Sequence, residues 1–562
     1  MKIALLNLAR FGDLLQSQAA IRDLAGQGHD VAVVCLENFS GAARLLSGVS
    51  QRVSLPGAVL LGAAPSGGPM EKAAPVLHPW HHHLAELAVW KEEFEASFSP
   101  DVLCNFTPSI SARMLTRYMA GSKPCAGFFV DSHGFGQDGN PWAIFLRSAS
   151  LVRGASPYNI VDIFRKCVAF DSCAALGAGD ASLTPPCGQE LERARQGLYA
   201  EAPAHSKGFV AVQLGASRPE RQWPVEYFAA VGGALWRERQ LCPVLLGSEA
   251  ESALAKEYAA LTDAPFISMC GRTTLNELAA LLCVCRMLLT NDTGTMHLAA
   301  GLGTPIVALF LATAQPFDTG PYLPGSLCLE PDLPCHPCGF QSDCPHKHVC
   351  RTAIKPDVVT ALAFEQLDAH RHDPVNGAAP DTFSGKGTFF SGGQCRSFSG
   401  ARVWQSRLDR HGFMDLLSLS GHEDEARTVW LRLLREHLRP LLNEEDDAPV
   451  FANSFCYRVP DPLRAALVES LRTSAKLCVV LLEQGRVLMK TPAPVIRDRF
   501  LKNWEKIHSC LQGETHLAAL GTLWAQTTQD GALDLAASLR RVARFAACLH
   551  ALEQAVEKAC AG

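Results

Sequence analysis

The sequence has no long apolar run and no excess of charge of either sign. No stretch of its 562 residues approaches the roughly 18 consecutive apolar residues that a membrane-spanning helix needs. The 51 basic and 56 acidic residues give a formal net charge of −5, so no global positive field attracts nucleic acid. We therefore expect no membrane-spanning helix and no nucleic-acid partner.

The first apolar run, residues 3–8, is too short for the core of a signal peptide. We expect a cytoplasmic protein, with peripheral contact at the inner face of the inner membrane left open. The apolar share of 48% and the charged share of 19% are typical of a folded chain. Because the chain is too long for one core, we expect about three domains.

The order of apolar runs predicts two α/β halves and a helical remainder. Strand and helix patterns alternate twice, as expected for doubly wound parallel sheets with helices on both faces. We predict two Rossmann-like domains facing each other across a cleft, followed by a mainly α-helical C-terminal domain. The predicted bounds are 1–185 for the first domain, 206–370 for the second, 371–400 for a Gly/Ser-rich linker and 401–562 for the helical domain.

The first predicted strand ends in residues whose side chains point to chemistry. Arg10, Gly12 and Asp13 follow it directly, at the carboxyl edge where open α/β sheets bind ligands. Asp13 can cap the helix that begins there, or it can act as general base for a hydroxyl nucleophile. The spacing alone favours neither interpretation.

The second half carries its strongest signal after a buried strand. Asp292, Thr293, Gly294, Thr295 and His297 occupy the start of a predicted helix. Free amides at such a start suit a diphosphate, and Asp292 suits a sugar hydroxyl or a capping role. His297 is as well explained by packing as by a ligand contact.

Two further strand ends in this half supply weaker candidates. Ser217 and Arg221 lie in a loop that also holds Arg218, and an arginine fork fits phosphate oxygens, although a lone loop arginine is more often solvated. Gly271 ends another strand and is a candidate for shaping a nucleotide pocket.

Four segments together carry a family resemblance. The opening strand with Gly12 and Asp13, GASRPERQWP, CGRTTLNELAALL and NDTGTMHLAAGLGTPIVALF resemble glycosyltransferase family 9, the ADP-heptose:lipopolysaccharide heptosyltransferases. The resemblance covers roughly residues 1–365 and is densest from 210 to 325. It does not extend to the C-terminal region.

The resemblance implies a GT-B fold with an N-terminal acceptor domain and a donor domain that binds the nucleotide sugar. It implies inverting transfer that needs no metal, with Asp13 as the base and Asp292, Thr293, Gly294 and His297 in the donor motif. Family members usually carry lysine where Arg221 stands. The implied donor is ADP-heptose and the implied acceptor a lipid-linked or other glycan.

Cysteines cluster once, in the loop 335–350. Cys335, Cys338, Cys344 and Cys350 can close a tetrahedral zinc or iron site of structural type. Only one CxxC pair is present, so reduced loop cysteines are the preferred interpretation. The bare histidine run that comprises His78 and 81–83 is better read as a helix face than as a metal site.

The C-terminal extension leaves alternatives open for the function. Its arginines can face anionic lipid, although solvated helix faces are the simpler explanation; they are Arg432, Arg435, Arg439, Arg540, Arg541 and Arg544. The first alternative to lipopolysaccharide heptosyl transfer is a protein acceptor or another nucleotide sugar. The second is a catalytically degenerate scaffold for the helical domain.

Overall fold

The structure is a computed structural model that describes most of the chain. It covers residues 1–56, 80–152, 154, 156–169, 179–339, 343–370, 398–444, 461–491, 493–528 and 534–558. His78 and most of the predicted linker, residues 371–397, lie outside these ranges.

The first half builds a six-stranded sheet from apolar strands. Its strand order is β3-β2-β1-β4-β5-β6, and every pair is parallel except β5 with β6. The strands are β1 Lys2–Leu6, β2 Asp30–Leu36, β3 Gln51–Leu55, β4 Val102–Asn105, β5 Cys125–Val130 and β6 Gly136–Asp138. The central strands β1 and β4 are buried on both faces, which explains their uninterrupted apolar sequences.

The helices of this half connect the parallel strands. They are α1 Phe11–Gln16, α2 Gln18–Gly26, α3 Ser40–Ala43, α4 Trp80–Ser97, α5 Ile110–Ala120, α6 Pro141–Leu151 and α7 Ile160–Cys167. A 3₁₀ turn covers Glu37–Phe39.

The second half builds an eight-stranded sheet in the order β14-β13-β12-β11-β10-β7-β8-β9. The strands are β7 Phe209–Gln213, β8 Cys242–Leu246, β9 Ile267–Ser268, β10 Leu288–Asn291, β11 Ile306–Leu309, β12 Leu327–Pro331, β13 Ala401–Leu408 and β14 Met414–Ser418. The six strands β7 to β12 are parallel, so their carboxyl ends share one edge. This arrangement confirms the prediction of two parallel-dominated α/β halves.

The helices of the second half are α8 Gly188–Glu201, α9 Val225–Arg239, α10 Ser252–Ala260, α11 Leu275–Val284, α12 Gly294–Gly301, α13 Pro316–Thr319, α14 Cys350–Ala353 and α15 Pro356–Ala369. The short turns are 3₁₀ helices at Pro219–Arg221 and Glu249–Glu251.

The hairpin β13–β14 differs from the helical start that was predicted at residue 401. Strand β13 pairs antiparallel with β12, and β14 pairs antiparallel with β13, so both extend the second sheet. The free edge of β12 offers unpaired backbone groups, and the hairpin satisfies them while burying Val403 and Trp404. The first α-helix after the hairpin begins at Ala426.

The rest of the C-terminal region is helical, as predicted, over the residues that the structure describes. Its elements are a 3₁₀ turn at His422–Asp424, α16 Ala426–Leu442, α17 Asp461–Lys490, α18 Pro494–Gln512, a 3₁₀ turn at Thr515–Leu517, α19 Ala518–Thr528 and α20 Leu535–Lys558. Among the described helices, none has the length and apolar character required to cross a membrane.

The helical region is attached to the first half of the chain. Trp142 Nε1 donates to Asn443 Oδ1 at 3.0 Å, and Ser148 Oγ donates to Gln526 Oε1 at 2.7 Å. Tyr158 also donates through its hydroxyl to the backbone of α16. These contacts, two of which are buried, make the C-terminal helices an integral layer on the first half.

Two of the C-terminal arginines cannot face lipid. Arg432 and Arg435 are less than a tenth exposed and form ion pairs with Asp415 and Asp409. Desolvating a guanidinium is costly unless a carboxylate compensates it, and here both are compensated inside the fold.

Candidate functional site

A cleft of about 580 Å³ opens between the two sheets at the carboxyl ends of their strands. It is lined by every predicted catalytic, donor-side and acceptor-side residue except Gly271, whereas the four cysteines of the loop 335–350 lie outside its lining. The predicted residues that line it are Arg10, Gly12, Asp13, Ser217, Arg221, Asp292, Thr293, Gly294, Thr295 and His297.

The starts of two helices, α1 and α12, meet across this cleft. A Cβ on Gly294 would overlap the ring of Phe11, and a Cβ on Gly12 would lie 3.0 Å from His297 Cδ2. The close approach of the two halves therefore leaves no room for a side chain at residue 294, whereas one at residue 12 would displace the His297 ring slightly. The contact brings the amide-rich start of α12 next to the first turn of α1, which carries Asp13.

Asp13 fills the capping role that its sequence position suggested. Its Oδ2 accepts a hydrogen bond from the backbone N–H of Arg10 at 3.1 Å, so it caps α1. Asn7 holds this turn by donating to the backbone oxygen of Asp13 at 2.8 Å. Burial raises the pKa of the Asp13 carboxyl above its ordinary value, which makes its ionised form a stronger base.

Arg221 lies on the opposite wall with its guanidinium largely buried. Its Nε donates to Thr313 Oγ1 at 2.7 Å, and its Nη1 lies 3.5 Å from Asp292 Oδ2. Thr313 follows Ala312, a non-glycine residue with a left-handed φ of 53°. The hydroxyl that accepts from Arg221 thus lies directly after a left-handed turn.

The start of α12 leaves amides available to a ligand. Thr293 is the N-cap residue, but its side chain makes no capping hydrogen bond to the helix. Its Oγ1 lies 3.1 Å from Thr290 Oγ1 instead. Uncapped amides and the helix dipole together favour an anion at this position.

His297 is a neutral imidazole at neutral pH. Burial lowers its pKa to about 4, and its Nδ1 has no hydrogen-bond partner among the described residues. A neutral ring can offer one donor and one acceptor to a polar ligand in the cleft.

The cleft also contains Gln213 and Glu251, which were not predicted from the sequence. Thr295 Oγ1 donates to Gln213 Oε1 at 3.2 Å, and Gln213 Nε2 donates to Glu251 Oε1 at 2.9 Å. Glu251 lies against Gly215 and Gly247, where a Cβ would crowd its side chain. The glycines at these two strand ends were the available signal, since a missing Cβ often marks room left for a neighbour.

Gly271 and Ser217 have peripheral places. Gly271 adopts a left-handed φ of 69° beside Glu249 and is not part of the cleft lining. Ser217 lies exposed at the rim. The neighbouring Arg218 is half exposed and pairs with Glu220 at 3.5 Å, so Arg221 is the buried arginine of this loop.

The four cysteines of the loop 335–350 are free thiols, and the loop contacts the turn at Ala312. Cys338 donates its backbone N–H to the carbonyl of Ala312 at 2.9 Å, and Cys344 Sγ accepts from the backbone of His348 at 3.3 Å. Among the described residues, the His, Cys, Asp and Glu ligand atoms that converge closely enough for a metal belong to Asp332, His422 and Glu425 instead. The guanidinium of Arg402 already pairs with both carboxylates of that group.

Comparison with known proteins supports the sequence resemblance. Residues 132–349 match the model of glycosyltransferase family 9 (heptosyltransferase). The predicted family is therefore confirmed over that segment, which contains Arg221 and the motif around Asp292. The matched segment begins after Asp13, so the assignment of Asp13 to the candidate site rests on the geometry of the cleft.

The chain is also similar to a curated relative over part of its length. It is 29% identical over 169 residues to lipooligosaccharide heptosyltransferase 2 of Campylobacter jejuni, which is 29% of this chain and 52% of that protein. The chain thus spans about half the length of this curated relative.

Two solved structures have a similar arrangement at low sequence identity. The family 9 glycosyltransferase of Veillonella parvula is 17% identical, with a TM-score of 0.48 over 65% of this chain and 97% of that one. The ADP-heptose lipopolysaccharide heptosyltransferase II of Escherichia coli is 17% identical, with a TM-score of 0.47 over 66% of this chain and 100% of that one.

Proposed function

Because residues 132–349 match glycosyltransferase family 9, we propose that the protein is an inverting glycosyltransferase of the GT-B type. It moves a heptose from ADP-heptose to a lipopolysaccharide core or a similar lipid-linked glycan. The single observation that carries the proposal is the cleft in which Asp13 of the first half faces Arg221 and the start of α12.

In this proposal the second half binds the donor. The amides at residues 293–295 and the Arg221 guanidinium hold the diphosphate, since both place positive charge where negative charge grows during bond breaking. Asp292 and His297 contact the sugar or ribose hydroxyls. Arginine replaces the usual lysine of the family and offers a planar fork to the phosphate oxygens.

The first half binds the acceptor and supplies the base. Asp13 accepts the proton of the acceptor hydroxyl while the hydroxyl oxygen attacks the anomeric carbon of the donor sugar. The bond to the diphosphate breaks on the opposite face, so the anomeric configuration inverts and ADP leaves with the bonding electron pair. The family resemblance implies transfer without a metal, and in that case Arg221 and the amides at the start of α12 neutralise the leaving diphosphate.

A different acceptor or donor remains the main alternative. The C-terminal helices add a layer to the first half, on the proposed acceptor side, which suits a protein acceptor as well as a lipid-linked glycan. A degenerate scaffold is less favoured, because Asp13 and the residues of the α12 motif all line one cleft. With a lipid-linked acceptor, the protein would act at the cytoplasmic face of the inner membrane.

Calorimetric titration with ADP, GDP, UDP, CMP and dTDP tests the donor site. Selective binding of ADP, weakened in Arg221→Ala, would support the proposed donor. Selective binding of another nucleotide would be consistent with a glycosyltransferase but would exclude ADP-heptose as its donor. Binding of none of them would favour the scaffold.

A further inference from the structure

The turn between α17 and α18 carries large apolar side chains on its outside. Val487 and Met489 are 44% and 51% exposed, and Val495 and Leu501 are 63% and 53% exposed. The inner faces of the two helices are already filled by other apolar residues, among them Leu481 and Phe500. The four outward side chains are about half exposed or more and lie on both sides of one helix–helix turn, so this end of the helix pair offers apolar surface for a contact.

The same turn is strongly basic. Residues 486–502 contain one acidic residue, Asp498, against the five basic residues Arg486, Lys490, Arg497, Arg499 and Lys502. All six are exposed. Arg486 pairs with Glu483 and Arg497 lies 3.9 Å from Asp498, both as highly exposed pairs that water screens. Within the described part of the chain, no ion pair is recorded for Lys490, Arg499 or Lys502.

We propose that this surface, residues 486–491 and 493–502, docks on an anionic lipid membrane; it is called the basic tip below. Apolar side chains that insert at the headgroup boundary, surrounded by lysine and arginine, are the combination that binds such surfaces. The lipid-facing part of the C-terminal region is therefore assigned to the basic tip and not to Arg432 and Arg435, which are buried.

Charge decides between a membrane and a second copy of the chain. A symmetric dimer through the basic tip would place its basic side chains against the same side chains of the other copy, which is unfavourable. An anionic lipid surface complements both the charge and the apolar residues. The basic tip is therefore better suited to a membrane than to self-association.

The basic tip gives the proposed function a location. It belongs to the helical layer attached to the first half, which is the half assigned to the acceptor. The inference rests on the proposed function only in that a lipid-linked acceptor lies in a membrane. Nucleotide binding by the second half is measured without lipid, so failure of either proposal can be distinguished.

Co-sedimentation of the full chain with vesicles tests the basic tip. Phosphatidylcholine vesicles and vesicles of phosphatidylcholine mixed with phosphatidylglycerol are compared at low and high salt. We expect binding to the anionic vesicles alone, decreasing as salt increases. Equal binding to both vesicle types, or binding to neither, would overturn the proposal.

Matched variants locate the binding surface. In Lys490→Glu with Lys502→Glu, binding should weaken by about 25-fold or more, because each basic residue contributes about fivefold. Val495→Ser with Leu501→Ser should weaken it by about tenfold through lost insertion. The control, Lys207→Glu with Lys256→Glu, makes the same charge change at exposed positions of the second half and should leave binding unchanged.

Two results would contradict the assignment to lipid. An equal loss in the control pair would show that net charge alone governs binding. A dimer in light scattering that is lost in Val495→Ser with Leu501→Ser would assign the surface to self-association. Circular dichroism should give the same spectrum and melting curve for all variants, since every substituted side chain is exposed.

Discussion

At the scale of single residues, the proposed chemistry depends on Asp13. It is the carboxylate that the first half contributes to the cleft beside the α12 motif. In Asp13→Asn the amide oxygen can still accept the Arg10 hydrogen bond, so the helix cap is retained while the base is lost. We expect transfer to fall by about 100-fold or more, with ADP affinity unchanged in calorimetry.

The pH dependence of transfer gives Asp13 a second test. A base acts in its ionised form, and burial raises the pKa of Asp13 above its ordinary value. Activity should therefore fall as pH decreases through this raised pKa, before an exposed aspartate would protonate. The acid limb of kcat/KM should vanish in Asp13→Asn and persist in Asp30→Asn, an exposed site outside the cleft. An identical limb in both variants would assign the titration to another group.

Arg221 allows a matched comparison within one loop. Its guanidinium is held by Thr313 and Asp292, whereas Arg218 is half exposed and pairs only with Glu220 among the described residues. Arg221→Ala should weaken ADP binding by about 10- to 100-fold, the range expected for charge-assisted hydrogen bonds. Arg218→Ala should change it little. Equal losses would mean that Arg221 acts only through the general charge of the loop.

At the scale of elements, the meeting of α1 and α12 is the most constrained contact of the site. A methyl group at residue 294 would overlap Phe11. Gly294→Ala should push the two helix starts apart and lower transfer by about 100-fold, because small misplacements of reacting groups are costly. The matched substitution Gly197→Ala adds a methyl group to open space in α8 and should leave activity intact.

Sequence patterns predicted these elements unevenly. Buried parallel strands are uninterrupted apolar runs, so β1, β7 and β10 and the motif after β10 could be located directly. The hairpin β13–β14 could not be located in this way. It forms because β13 pairs with the free edge of β12, which lies about 70 residues earlier in the chain. Likewise, the contact of Glu251 with two glycines arises from packing between strand ends. The burial of Arg432 and Arg435 depends on Asp415 and Asp409, which the hairpin positions.

At the scale of the whole molecule, one buried carboxylate joins three parts of the fold. Asp162 of α7 accepts hydrogen bonds from Tyr322 of the second half at 2.7 Å and from the backbone of Met414 in the hairpin at 2.8 Å. It also pairs with the buried Arg165 at 3.5 Å. The C-terminal hairpin is thus fastened to both α/β halves.

Removing this carboxylate should destabilise the assembly strongly. Asp162→Ala leaves Arg165 without one of its buried counter-charges, and such changes cost about 3–5 kcal/mol. We expect a much lower melting temperature in calorimetry and a second transition as the halves separate. Asp180→Ala removes a half-exposed partner of Arg22 and should change the melting temperature little. A small effect of Asp162→Ala would show that other contacts hold the halves together.

The central claim is that the cleft transfers a sugar from ADP-heptose by means of Asp13. The most direct test incubates the full chain with ADP-heptose and a lipopolysaccharide core acceptor and follows the acceptor mass together with ADP release. We expect a mass increase of one heptose per acceptor, an equal amount of ADP, and loss of both in Asp13→Asn while ADP binding persists. An unchanged acceptor with no nucleotide bound, or full transfer by Asp13→Asn, would contradict it.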